Sequence, residues 1–339
     1  MTTTESVHLA PPPKPQHSPT RSLAANRSVR LLAVGWLAAF AAIMVLGVDG
    51  MPDVVVADSA AETVGFQLVL AVTFLLFMAV IYGLTRRRPP VDFASRVGDR
   101  RRSKAEVAIL GVYVAGGLIV SATLGFGFHP EGAVYGPIDQ PSGSDLLTWA
   151  GFNLVVFGLV PYLWIRSRGY TNRDLGLRSG NLAADVRLIL IVLGIEAIQE
   201  LTVFTGIFDL SSTQLALGMP LSFVIHLAGT GIPIMVCIYA ILLPRYHQLT
   251  GSMTTSTILG GLTYAAFHLT EYWAVFDTAK LTVVSILLVF TQFTGPGMIK
   301  SMLTIRTGNA WVHLWGYHAI VPHVTVDTPT IVDAFEIDR

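Results

Sequence analysis

TVGFQLVLAVTFLLFMAVIYGLTRRR, residues 63–88, decides the fold. Its first 22 residues carry no charge, and three arginines close it. About 20 mainly apolar residues suffice to cross the hydrocarbon core of a bilayer as a helix. The stretch therefore reads as a membrane span that ends in a basic loop.

The same pattern repeats along the chain. Apolar segments at 30–48, 63–84, 106–126, 146–165, 186–207, 217–243, 255–276, 281–303 and 308–324 predict nine spans. Eight spans with a re-entrant last segment is the alternative, because 308–324 is short and polar. Composition agrees: 52% of the 339 residues are hydrophobic and only 13% are charged, against roughly 25% in a soluble domain. The expected fold class is all-α, a polytopic membrane helix bundle. Net charge is zero, which removes the basic surplus expected of a nucleic-acid binder. The lone Cys237 excludes a disulfide framework and a thiolate metal site.

Loop charges orient the spans. Arg86, Arg87, Arg88, Arg96, Arg100, Arg101, Arg102 and Lys104 follow the second span, Arg166 to Arg178 follow the fourth, and Arg245 follows the sixth. Acids such as Asp49, Glu62, Glu131, Asp139 and Asp209 fill the alternate loops. The positive-inside rule then puts the N-terminus in the cytoplasm, with the chain in the plasma membrane. Residues 1–29, rich in Pro, Ser and Thr, read as a disordered tail. Residues 30–180 read as a four-helix scaffold with almost no intramembrane ionisable groups, 181–325 as the chemically active core, and 326–339 as a C-terminal tail.

Within that core, His226, His268, His313, His318 and His323 lie in apolar stretches. Ionisable side chains are costly in lipid and face the bundle interior or a water-filled cavity, so each is a candidate for function. Glu196 and Glu200 are four apart, on one helical face. The expected role is a metal ligand or a general base, or else a protonated pair hydrogen-bonded across helices. Tyr264, His268 and Glu271 share a face of the seventh span. Imidazole with a carboxylate companion is a common metal-ligand set, and Glu271 could equally orient His268 from behind. In the last span His318 projects with Trp311 and Trp315, whereas His313 projects elsewhere. Pro322 is placed to break the helix and release His323. The resulting expectation is a Zn2+ or other divalent metal held by His268, His318 and Glu200, with Glu200 or Glu271 as the catalytic carboxylate.

The order of these segments resembles the CPBP family, the Abi or CAAX-protease-like intramembrane metalloproteases. Tyr264-x-x-x-His268 is similar to that family's aromatic-xxx-His motif. Ile241-Leu242-Leu243-Pro244-Arg245 is similar to the segment after its EExxxR motif. Phe293-Thr294-Gly295 and Arg306-Thr307-Gly308-Asn309-Ala310-Trp311 resemble the approach to its His-xxx-Asn/Asp motif. The likeness spans about residues 217–323 and departs at known points. Ile234 and Met235 stand in the place of the glutamate pair, Tyr239 in that of the arginine, and Tyr317 in that of the final histidine. Four residues beyond His318 comes Pro322, whereas His323-x-x-x-Asp327 fits the last motif later in the chain. The resemblance implies a metal-dependent intramembrane protease acting on membrane-embedded or lipidated peptides, with membrane lipids and a membrane protein or peptide as its partners. Two other classes stand beside it: a non-catalytic relative that binds membrane partners, and a proton-coupled transporter using Glu196, Glu200 and the histidines.

Overall fold

The computed structural model describes residues 25–52, 56–129, 132–133, 136–137, 140–271 and 273–338. The tail expected over 1–29 therefore falls mostly outside the described residues, as do Asp53, Glu131, Asp139 and Arg339.

Among the described residues, six helices are long and apolar enough to cross a membrane: α1 (Arg27–Leu46), α2 (Ala60–Thr85), α3 (Arg100–Thr123), α4 (Gly143–Ser167), α6 (Ser212–Thr250) and α8 (Ala279–Thr307). They make the chain a multi-pass membrane helix bundle. Between and after them come α5 (Leu182–Val203), α7 (Met253–Phe267), α9 (Trp311–Tyr317) and α10 (Thr328–Ala334). A short antiparallel pairing, Gly132 with Pro137 and Ala133 with Gly136, interrupts the loop after α3.

Local chemistry sets the helix ends. Side-chain oxygens of Asn26, Ser59, Asp99, Asn181, Ser252 and Thr278 accept from backbone amides of the first turn. Ser142 with Asp145, and Ser211 with Gln214, form reciprocal capping boxes. Gly251 and Gly308 close α6 and α8 in the left-handed region, at φ 64° and 66°.

The three remaining expected spans differ from simple crossings. α5 is 22 residues long, but Asp185, Arg187, Glu196 and Glu200 make it the most charged of the set. α7 stops at Phe267. The last segment is broken. α9 has seven residues and rises only about 10 Å, a third of the roughly 30 Å hydrocarbon core. A π-helical turn, Val321–Val326, then leads into α10. Pro322 accounts for the break, since its ring excludes the helical hydrogen bond to the carbonyl of His318, where α9 ends.

Burial sorts the helices into a centre and a periphery. Two-thirds of the apolar window of α6 is buried inside the bundle, against 17% for α1. On α1, Leu31, Val34, Leu37 and Val45 face outward; such a surface suits lipid and not water. The buried middle of α6, Ile234 to Leu243, anchors one large cluster with Leu110, Phe157, Tyr264 and Phe267. Residues from both halves of the chain thus share this core. α7 and α8 cross closely because Gly261 and Gly297 face each other: a Cβ on Gly297 would lie 2.8 Å from Cα of Gly261. α6 itself is irregular. π-helical turns occupy Leu227–Gly231 and Met235–Leu242 around Pro233, and such turns widen a helix locally.

One charged cluster ties the basic end together. Glu106 is fully buried and accepts from Arg245 at 2.7 Å, Arg168 at 2.9 Å, Arg102 at 3.0 Å and the Tyr170 hydroxyl at 2.9 Å. Arg245 is itself buried, so the pair compensates two charges that would each be costly alone.

Candidate metal centre

α6 carries His226 immediately before its first π-helical turn. The broken segment after α9 carries His323 inside its own π-helical turn, with Asp327 just beyond it. Packing of that turn against α5 and α6 brings the three together. One donor atom from each of His226, His323 and Asp327 lies within 4.8 Å of the others, the one such group of three or more among the described residues. Both histidines are buried. Asp327 keeps 24% of its side chain exposed, so the group has an open side.

The hydrogen bonds orient each ring. His226 Nδ1 lies 2.9 Å from the Ser222 carbonyl, one turn back. A carbonyl only accepts, so this nitrogen carries the proton and Nε2 is left bare in the neutral ring. Nε2 points toward Asp327 Oδ2 at 3.1 Å but makes no hydrogen bond. His323 Nδ1 approaches the same oxygen at 2.7 Å, and its Nε2 lies 3.2 Å from the Thr230 hydroxyl. Thr230 also reaches the His226 carbonyl at 3.1 Å. The hydroxyl of Ser222 donates to the His323 carbonyl, which pins the broken segment to α6. The two imidazoles stack nearly parallel, 4.8 Å between centroids and 8° between planes.

Two proton arrangements are open to the neutral His323 ring. In one, Thr230 donates to the His226 carbonyl and accepts from His323 Nε2–H, which leaves Nδ1 bare. In the other, Nδ1–H donates to Asp327 and Thr230 donates to Nε2. In both, His226 Nε2 and Asp327 Oδ2 present lone pairs to each other at 3.1 Å. That contact is repulsive unless a cation, proton or metal ion, lies between them. The donor set fits a metal. Two imidazole nitrogens and one carboxylate oxygen are ligands that zinc takes with a fourth position open. Bonds of about 2.0–2.1 Å in tetrahedral geometry place ligand atoms about 3.3 Å apart; the two nitrogen–oxygen separations here are 2.7 and 3.1 Å.

The expected ligands lie around this centre and do not form it. The His318 ring lies 5.2 Å from that of His323, with Nδ1 buried and unbonded. Glu200 on α5 is within electrostatic reach of Asp327 without bonding to the group. His268 ends α7 with its Nδ1 2.9 Å from the Tyr264 carbonyl and its ring packed 4.0 Å from Phe293. Tyr264 links it to His318 through ring separations of 4.6 and 6.2 Å. Glu271 is committed elsewhere: it is fully buried and accepts from the amides of Phe128 at 2.7 Å and His129 at 3.1 Å. His313 faces Tyr239, ring to ring at 4.0 Å, and bonds Thr304. Among the described residues, His268, His318 and Glu200 form no common ligand group.

Two contributors were not assigned from sequence. Asp327 fell in the presumed tail, although its spacing of four from His323 matched a ligand motif. His129, in the loop after α3, stacks edge-on with His268 at 5.3 Å and interacts electrostatically with His226, His323 and Asp327; no local pattern marked it. Deeper in the bundle, the Lys300 ammonium lies 3.9 Å over the Tyr264 ring, near a Glu196 whose Oε2 is buried and unbonded. Comparison with protein-family models, curated proteins and solved structures finds no match for this chain.

Proposed function

We propose that the protein is a metal-dependent intramembrane hydrolase, acting on membrane-embedded or lipidated peptides, with its metal held by His226, His323 and Asp327. The supporting observation is the convergence of those three donors around a bare, buried His226 Nε2. The ligand set leaves a coordination position free, and Asp327 borders the open side. A divalent ion held there would supply Lewis acidity and a more acidic water. The chain's own groups do the rest. Ser222 fixes the His226 tautomer, Thr230 orients His323, and Glu200 and His318 are placed to hold or move a proton beside the site. The histidine and aspartate of His323-x-x-x-Asp327 are also the pair that resembles the last CPBP motif. In this reading the protein lies in the plasma membrane with its N-terminus and Arg-rich loops in the cytoplasm.

Metal analysis of full-length protein purified without chelator is the test. About one divalent ion per chain is expected in the wild type and under a tenth of that in Asp327→Asn. Cleavage of a lipidated peptide in liposomes should fall in parallel, by roughly 10²-fold or more. No stoichiometric metal after incubation with zinc, cobalt or manganese, or full metal in Asp327→Asn, would overturn the proposal. Metal binding without cleavage would leave the non-catalytic partner-binding reading. Lys300 and Glu196, both buried in the bundle, favour proton-coupled transport as a second reading. A pH-driven flux in metal-free liposomes, abolished by Glu196→Gln, would establish it instead.

A further inference from the structure

Away from the metal centre, a cavity of about 690 Å³ opens at the Arg-rich ends of α2, α5 and α8. Four guanidinium groups line it: Arg88, Arg96, Arg173 and Arg306. Three carboxylates share the wall, and each is already committed. Asp185 is buried, pairs with Arg88 at 2.5 Å, and accepts from Ser179 at 2.7 Å and Asn309 at 2.9 Å. Asp174 accepts from the amide and hydroxyl of Thr171, both at 2.7 Å, and Asp92 accepts from the Ser95 amide at 3.2 Å.

The arginines are less evenly used. Arg88 binds Asp185 and the Ala184 carbonyl, and Arg306 binds Thr85. Arg96 gives one N–H to the Gly308 carbonyl at 2.7 Å. The Arg173 side chain makes no hydrogen bond or ion pair among the described residues, and it lies close enough to Arg96 for the two like charges to oppose each other. Burial, and then that opposition, lower the pKa of Arg96 from its ordinary value, while Asp174 and Asp92 offset part of the effect. The N-terminus of α5 opens on the same space through Asn181 and Ala184, adding the positive end of a 22-residue helix.

We propose that this cavity binds a phosphate-bearing anion between Arg96 and Arg173, at the N-terminus of α5. Arginine forks match phosphate oxygens in pairs, and an anion there would relieve the opposition of the two guanidinium groups. The cavity lies where the apolar helices α2 and α8 end, the depth of a lipid headgroup. Basic pockets between membrane helices commonly take such groups. A soluble phosphate has the same chemistry, and the experiment separates the two sources.

Full-length protein in a neutral detergent is titrated with dihexanoyl phosphatidylglycerol and, separately, with inorganic phosphate, and binding is read by native mass spectrometry. Saturable 1:1 binding of at least one probe is expected. Arg173→Glu should weaken it about tenfold or more, and Arg101→Glu, the same charge reversal on an exposed residue outside the cavity, should leave it unchanged. Binding of phosphatidylglycerol alone identifies a lipid headgroup; equal binding of inorganic phosphate identifies a soluble ligand. No saturable binding of either probe, wild-type affinity in Arg173→Glu, or equal losses in both variants overturns the assignment. Arg173 is exposed, and matching thermal unfolding of the variants shows that the fold is not what changed.

Discussion

Thr230 is the residue on which the site's geometry turns. Its hydroxyl reaches the His226 carbonyl at 3.1 Å and His323 Nε2 at 3.2 Å, so one side chain bridges both candidate ligands. Where His323 donates Nε2–H to it, Nδ1 is free to bind a metal. Partners that fix a ligand's tautomer are typically worth 10–100-fold in metal affinity. Thr230→Val keeps the shape and removes the hydroxyl, and should therefore weaken zinc binding about 10–100-fold with little change in thermal unfolding. Equilibrium titration against a zinc buffer measures it, and an unchanged affinity would remove Thr230 from the site. The sequence marks the histidines here but not their company. A histidine in an apolar run stands out by cost alone, whereas a threonine in a helix is ordinary until a second segment comes to meet it. Asp327 shows the same limit: its spacing from His323 was visible, but its approach to His226 on α6 was not.

At the scale of elements, close approach of backbones decides which helices can be neighbours. A Cβ on Gly297 would meet Tyr264 Cβ at 2.6 Å and Gly261 Cα at 2.8 Å, and these atoms are not the far ends of flexible side chains. Gly297→Ala should therefore push α7 from α8 and cost about 1–3 kcal/mol, as overpacking does. Gly65→Ala on α2, which meets nothing within 4 Å, serves as the control. Thermal unfolding in detergent compares them, and equal midpoints would show that the α7–α8 crossing is looser than described. The helices themselves were legible: long apolar runs, capping residues and closing glycines are local signals. The irregular elements were less so. The π-helical turns of α6 lie around Pro233 in a run that reads as one continuous span, and the seven-residue α9 ends at His318, whose carbonyl Pro322 leaves without its helical hydrogen bond.

At the scale of the whole molecule, the charge pattern and the lipid-facing apolar surface act together. The Arg-rich loop after α2, the Glu106 cluster and the arginine-lined cavity all gather at one end of the bundle, the end that the proposed orientation puts in the cytoplasm. Cys237 is buried, which leaves a low background for introduced cysteines. An impermeant maleimide on intact cells should label Asp209→Cys and should reach Arg101→Cys only after permeabilisation; the reverse pattern would invert the topology. The sequence by itself determined the membrane class, most of the long helices and the basic and acidic parity of the loops, because each depends on composition and period within one segment. Only the tertiary structure decided which polar groups meet. Ser222 and His323 touch across 101 residues, while Glu271 turns to the amides of the loop after α3 and away from any shared metal. Those outcomes depend on how helices rotate, cross and break against one another, and a side chain's position within its own helix does not carry that information.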